Sequence, residues 1–491
     1  MSFRMNADKI HTTYTKTLSE FLTNLKYEDI PEEVRQRAKL IAIQTIGAGL
    51  ATKGTPIGEK AVAIGKMCGC GEPTATLWTD GSKVSMTAAA YTAGTITDAL
   101  DWEDCSWVGH PSASIVPVSI IVGEALKKSG KDVITAIVAA YETSQRIAMV
   151  VQPDPDWDFM NGWGLTSWQI FAAVAPAAKL LGLTPEQVNQ AFGFGALCCP
   201  IQSQLHHITM SDAYHYEHGF RTKDGILCAL TAQAGVDNYM DVFDDPYSWD
   251  YHMCPHPKHD WYTKDLGRYW LTNETLLKHW PANMWVQTPL ELADVMHRKY
   301  GINAEDIAEL IIDPQTDNRM FYDPKGYTSL VQAQFSTPFM LASYFLNPDH
   351  PGKEWFGYPI YYAFLVKCQR FQDLFGKEKL TDPAILELAG RVHGGPTTPH
   401  DNPGLSFDMF RKNDYPMKTM TIRTKDGRTF TESLARHPGH PRNMMTLEQV
   451  CDRFRIQASA TLDADKLERT VEFLAHMEEV EDMSVIGEFL A

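Results

Sequence analysis

No apolar run in the 491-residue sequence reaches the ~18–20 residues that a membrane-spanning helix requires. The stretch MSFRMNADKIHTTYTKTLSEF lacks the apolar segment of a secretory leader, so the expectation is a cytoplasmic protein with no membrane partner. Basic residues are also scarce: 44 Lys and Arg face 61 Asp and Glu, a formal net charge of −17. With no Lys/Arg-rich run, such a chain repels a phosphate backbone, and nucleic-acid binding is not expected. The nine cysteines are an odd count, which argues against a disulfide framework. Neither Cys68 and Cys70 nor the adjacent Cys198 and Cys199 has a second pair at zinc-ligand spacing, so they read as free thiols. The glycines of GEPTATLWTDGSK and HGGP match no nucleotide-binding fingerprint.

What remains is an ordinary globular composition, 44% apolar and 21% charged, long enough for two to three structural units at roughly 100–200 residues each. Residues 15 to 235 read as helix after helix. Pro31 followed by two glutamates suits a helix start, and Thr184, Pro185 and Gln187 form a capping-box pattern. SASIVPVSIIVGEALKKSG and KDVITAIVAAYETSQRIAMVV are apolar on most faces and predict central helices. The texture changes after residue 270. Residues 305–315 pass from a helical start to a β-like run, 328–346 is helical, and 393–404 reads as a loop. In MKTMTIRTKDGRTFTESLA, Asp426–Gly427 predicts a two-residue hairpin turn. The expected fold is mainly α, a large helical domain interrupted by a smaller α/β one.

The stretch DALDWEDCSWVGHPSASIVPVSIIVGEALKKSG places Asp101, Glu103, Asp104 and His110 just before a buried helix. Together with AKLLGLTPEQVNQAFGFGA, HGFRTKDGILCALTAQAGV, AQFSTPFMLASYFL and HPGHPRNMMTLEQVCDRF, in that order along almost the whole chain, it resembles the MmgE/PrpD family. The resemblance implies a cofactor-free, metal-free enzyme acting on small carboxylic acids, as a homodimer with its site in an interdomain cleft. It implies a helical domain over residues 1–270, an inserted α/β lid over 271–404, and a return to the helical domain over 405–491. Asp101, His110 and Lys278 match the family's pattern. Three positions depart from it: Trp163 or Gly164 stands where a histidine is expected, Tyr214 replaces a lysine, and Asn283 replaces a histidine.

A histidine titrates near neutrality, so His110 suits acid/base work, and Asp101 is placed to orient it. Lys278 offers a cation for a carboxylate or a developing negative charge. Tyr214 is a proton donor, its phenol titrating near about 10 when unperturbed, and a nearby Lys278 would lower that value. Fewer cationic partners suggest a substrate with fewer carboxylates than citrate-like acids, one with apolar or aromatic character held by Trp163, Trp168 and Trp285. His218 and Asn283 complete the expected substrate contacts, with His215 or His218 standing in for the missing histidine. Each residue also has a structural reading: His110 and Asp101 as helix-start groups, Tyr214 and the tryptophans as packing, Lys278 on the surface. Glu103 and Asp104 are expected to be solvated. The histidine groups His206, His207, His215, His218 and His252, Cys254, His256, His259 have spacings that zinc accepts, but the first adjoins the expected site. The leading function is a dehydratase- or decarboxylase-type lyase. The alternatives are an epimerase on the same fold, with Tyr214 and His110 on opposite faces of one carbon, and a catalytically silent binding homologue.

Overall fold

Helix starts follow the capping chemistry written in the sequence. The computed structural model describes residues 11–69, 71–106, 109–152, 167–199, 210–238, 240–315, 319–349, 351–356, 379–397, 417–459 and 461–491. Helix Glu32–Leu50 begins directly after Pro31, with Glu32 and Glu33 in its first turn. The Thr184 side chain accepts from Gln187 N–H, Gln187 returns the bond, and Pro185 opens helix Pro185–Cys198. Ser129 with Asp132, and Thr446 with Gln449, repeat the device, each cap holding helix-end N–H groups that otherwise lack partners.

Helices Ser112–Ala125 and Gly130–Val150 are buried over most of their faces, as their apolar texture predicts, and form the centre of the main core. Around them pack Tyr14–Asn24, Glu32–Leu50, Met86–Asp98, Gln169–Leu181 and Ala213–Gln233. The C-terminal helix Leu447–Ala458 returns onto Glu32–Leu50. None of the helices among the described residues is long and apolar enough to cross a membrane.

One helix crossing is unusually close. A Cβ at Gly94 would stand 2.6 Å from Thr222 Oγ1 and 2.9 Å from the His218 carbonyl oxygen; one at Gly219 would meet Thr95 Oγ1 and stand 2.6 Å from the Tyr91 carbonyl oxygen. Helices Met86–Asp98 and Ala213–Gln233 therefore approach at backbone distance, and this brings the last residue of the first, Asp98, against the opening turns of the second.

Two short antiparallel pairs accompany the helices: β1 (Ala75–Thr76) with β2 (Lys83–Val84), and β3 (Asp104–Cys105) with β4 (Leu276–Leu277). A four-stranded sheet holds β5 (Ile307–Asp313), β6 (Val392–Gly394), β7 (Lys418–Thr424) and β8 (Thr429–Leu434) in the order β6-β5-β7-β8, with only the β5–β6 pair parallel. Ile307, Leu310 and Ile312 of β5 and Met420 and Ile422 of β7 bury one face in a second core, with Leu290, Phe339 and Leu341 from neighbouring helices. Ala99, Leu100 and Trp102 belong to that second core as well, so the loop that carries Asp101 is packed from the sheet side.

Two local expectations are corrected. Arg423 pairs with Thr429, Gly427 N–H donates to Thr424 O (3.0 Å), and Gly427 has φ +90° while Asp426 stays out of the left-handed region. The hairpin loop is therefore the three residues Lys425 to Gly427, a turn closed by a left-handed glycine, because the strand register leaves one more residue than a two-residue turn accommodates. His393 and Gly394, read as loop, complete β6 through pairing with β5; residues 398–404 lie outside the described residues.

Candidate active site

The site is assembled by one helix end, the loop that follows it, one strand end and one helix start. Helix Met86–Asp98 delivers Asp98, and the loop after it carries Asp101 at φ +51°, a left-handed conformation uncommon for a residue with a side chain. Strand β3 pairs with β4, and the ladder continues as Lys278 N–H donates to Glu103 O at 3.1 Å. Gln44 Nε2 donates to both Trp102 O (2.6 Å) and Lys278 O (2.9 Å), joining the two segments from below. Gly109, at φ +149°, has Trp168 and the Gln169 side chain against its Cα, so this turn into His110 has no room for a side chain.

Lys278 Nζ donates to Asp101 and to Glu103 Oε1 (2.9 Å), and all three residues are fully buried. The expectation that Glu103 and Asp104 are solvated is thus overturned. Asp104 is also fully buried, accepting from Ser112 N–H (3.2 Å) and from the Tyr141 hydroxyl. Charged groups can be withdrawn from water when such partners satisfy them, and those partners come from segments distant in sequence. Lys278 correspondingly faces protein carboxylates, which hold its pKa above the ordinary lysine value against the opposing effect of burial.

His110 is 4% exposed. Its Nδ1 hydrogen-bonds Glu103, lies 3.0 Å from Asp98 Oδ1, and stands 3.1 Å from Lys278 Nζ. With Nδ1–H donating to Glu103, the Lys278 approach is one of two donors and is repulsive. Burial and Lys278 both oppose charge on the ring, yet Asp98 and Glu103 outweigh them and hold His110 well above its ordinary value. Asp98 is held well below the usual carboxylate range: burial opposes this, but His218 and His110 dominate. Burial pushes Glu103 up, against Lys278 and His110.

The Tyr214 hydroxyl lies 2.8 Å from His110 Nε2. Contrary to the expectation that a nearby Lys278 lowers it, the Tyr214 pKa is raised well above 10, by burial first and then by Asp98, Asp101 and Glu217. It remains a proton-bearing phenol. Its ring packs with Val331 and Phe335, and Met210 and Phe321 of that apolar cluster also line a cavity of about 380 Å³, with Tyr327, Thr328 and Gln332.

The structure therefore gathers Asp101, His110, Tyr214, Lys278 and His218 around one buried centre. His218 is fully buried, 3.6 Å from Asp98 Oδ1, and burial lowers its pKa to about 4, leaving a neutral ring. Asn283 stands one link further out: its backbone N–H donates to Gln334 O (3.1 Å) and its Oδ1 accepts from Trp285 N–H and Arg319 Nε. Trp168 and Trp285 are buried in the main core, where Trp168 supports the turn before His110. Trp163, His206 and His207 lie outside the described residues. Sequence reasoning missed Asp98, the carboxylate shared by His110, His215 and His218. Its one signal was its position one turn before Asp101 in TDALDWED.

Among the described residues, the ligand atoms of Asp98, Asp101, Glu103 and His110 form the one group within metal-binding reach of one another, 4.8 Å. The Lys278 ammonium already sits against Asp101 and Glu103, so a metal ion there would compete with it. His259, from the second histidine group, pairs with Asp250 at 2.8 Å. What the centre offers chemically is a charge-favoured imidazole backing a phenol.

A family model for the MmgE/PrpD N-terminal domain matches residues 16–261. The chain belongs to the MmgE/PrpD family. Relatives include a cis-aconitate decarboxylase of Aspergillus terreus (strain NIH 2624 / FGSC A1156), 22% identical over 505 residues, covering 97% of this chain and 95% of that protein. The cis-aconitate decarboxylase of Mus musculus is 23% identical, covering 97% and 93%; that of Homo sapiens is 24% identical, covering 97% and 94%. For a member of the MmgE/PrpD family, the buried centre between helix Met86–Asp98, β4 and helix Ala213–Gln233 is the candidate active site.

Proposed function

We propose that this chain is a lyase that decarboxylates a small organic acid, with His110 and Tyr214 delivering the proton. The observation that carries the reading is the 2.8 Å contact between the Tyr214 hydroxyl and Nε2 of a buried, charge-favoured His110. When the carbon–carbon bond to the departing carboxylate breaks, its electron pair stays on the neighbouring carbon. The Tyr214 hydroxyl gives that carbon its proton while His110 Nε2–H passes its own to the phenol oxygen. Carbon dioxide leaves, and His110 takes a proton back from solvent. Asp98 and Glu103 favour the charged imidazole, and Lys278 balances Asp101 and Glu103. Lys278 thus acts as a positioning residue, with the protein's own carboxylates as its partners. The names of the relatives, all cis-aconitate decarboxylases, support decarboxylation over dehydration. Epimerisation calls for two groups on opposite faces of a carbon; His110 and Tyr214 are instead joined in one line, which supports delivery from a single side.

The departures from the family pattern at Tyr214 and Asn283, which stand where a lysine and a histidine are expected, support a substrate with fewer carboxylates than citrate-like acids. We assign the α/β part expected over residues 271–404 the role of a lid over this centre, and extend it by the hairpin Lys418–Leu434, expected with the helical return, because β7 pairs with β5. Two copies of the chain are taken to associate through the exposed Leu197, Phe220 and Leu227.

A panel of aliphatic and aromatic acids, cis-aconitate included, tests the reading. Turnover is expected with an acid poorer in carboxylates, falling about 10²–10⁴-fold in Tyr214→Phe. Efficient turnover of cis-aconitate overturns the substrate assignment, and an unchanged rate in Tyr214→Phe overturns the mechanism.

A further inference from the structure

Gln334 and His215 form a second hydrogen-bonded line into the same centre, from the sheet side. Gln334 Nε2 donates to Ala99 O at 3.1 Å, and its Oε1 stands 3.1 Å from His215 Nε2. Turning the amide over would set two oxygens, Oε1 and Ala99 O, against each other, so the orientation is fixed by its partners. An amide oxygen only accepts; His215 Nε2 therefore bears a proton. His215 Nδ1 lies 2.6 Å from Asp98 Oδ2, and a carboxylate likewise accepts. Both ring nitrogens donate, which makes His215 a buried imidazolium. The acidic groups that bear on it are Asp98, Asp212 and Asp101; burial opposes the charge, but Asp98 outweighs it. Tyr214 meets it edge-on at 5.4 Å between ring centroids.

Gln334 belongs to the short helix Leu330–Phe335. Leu330 and Ala333 of that helix pack in the second core, while Val331 and Phe335 pack on Tyr214. Its first N–H donates to Asp212 Oδ1 (2.9 Å). One helix thus touches the phenol with its apolar face and His215 with its amide.

We propose that His215 and Gln334 are positioning residues that register the sheet-bearing part against the acid–base pair. With Asp98 Oδ2 tied to His215, its Oδ1 is presented to His110 Nδ1 at 3.0 Å; seating of helix Leu330–Phe335 fixes both Tyr214 and the carboxylate behind His110. The catalytic consequence rests on the lyase reading above; the protonation state of His215 does not.

The test has two arms. Nitrogen-15 NMR of histidine-labelled full-length protein, with His215→Gln for assignment, is expected to find both His215 nitrogens protonated at pH 8. A single N–H on His215 overturns the proposal whether or not a substrate is known. In kinetics, Gln334→Leu is expected to lower kcat about tenfold to a hundredfold, the worth of a hydrogen bond to a charged group, with KM little changed. Gln334→Glu, which as a buried neutral acid donates its O–H to Ala99 O and keeps its carbonyl oxygen for His215 Nε2, is expected to restore most of kcat. Equal losses in the two variants, or a loss confined to KM, overturn the positioning role. If NMR finds the imidazolium but no acid is turned over, the lyase reading fails and the His215 assignment stands.

Discussion

Lys278 has no exposed surface and lies against Asp101 and Glu103, so its removal takes the buried cation from both, leaving Glu103 with His110 and Asp101 without its ammonium donor. Lys278→Met is expected to destabilise the fold by about 3–5 kcal/mol, read as a lower urea midpoint at unchanged slope; a midpoint shift worth under about 1 kcal/mol would place the lysine in the ordinary surface class. His110 yields a prediction in pH. Its folded-state value is raised well above the ordinary one, so its stabilising charge interactions are fully present below about pH 6.5 and are lost as pH rises through the raised value. Activity that needs the imidazolium should persist through neutrality and decline on the alkaline side. A rate profile falling with a midpoint near 6.5 would contradict the arrangement. His110, Tyr214 and Lys278 were legible because a motif or a departure from one marked them. The burial of Glu103 and Asp104 was not, because the groups that satisfy them, Lys278 and Tyr141, come from segments with no local signature linking them to the loop.

The crossing of helices Met86–Asp98 and Ala213–Gln233 is the element on which the site depends. Gly219→Ala pushes a methyl group against Thr95 and the Tyr91 carbonyl, and overpacking of this kind costs about 1–3 kcal/mol. Because Asp98, His215 and His218 flank that contact, the variant is also expected to lose kcat; stability and rate both at wild-type values would show that the crossing tolerates more separation. Helix starts such as Thr184 and Thr446 were readable from side chains that cap within three residues. The β7–β8 loop was not, since Asp-Gly serves two-residue and three-residue hairpins alike and the pairing of Arg423 with Thr429 decides between them. β6 was hidden for a related reason: a three-residue strand containing Gly394 has little pattern of its own and exists through its parallel pairing with β5.

At the scale of the whole molecule, two apolar cores meet at the loop that carries Asp101: Cys105 belongs to the main core, and Ala99, Leu100 and Trp102 to the second. The succession of helical segments between residues 15 and 235 made a mainly helical protein legible. The second core, by contrast, draws on Ala48, Ala99, Leu100 and Trp102 as well as on residues after 270, a meeting of distant segments that no local texture marks. Assembly is a separate question. Phe220 and Leu227 lie two turns apart on one helix, 54% and 45% exposed, and sedimentation of the purified chain should give a dimer that Phe220→Glu with Leu227→Glu converts to monomer; a monomeric wild type would remove that assignment. The central claim concerns one proton on one line. Turnover of an accepted acid in D₂O, followed by proton NMR in wild type and in Tyr214→Phe, measures it most directly. The account predicts loss of carbon dioxide with a single deuterium placed on one face of the product carbon, and little or no product from Tyr214→Phe. Deuterium exchange into unreacted acid without loss of carbon dioxide, or product formed equally well without the phenol, would contradict it.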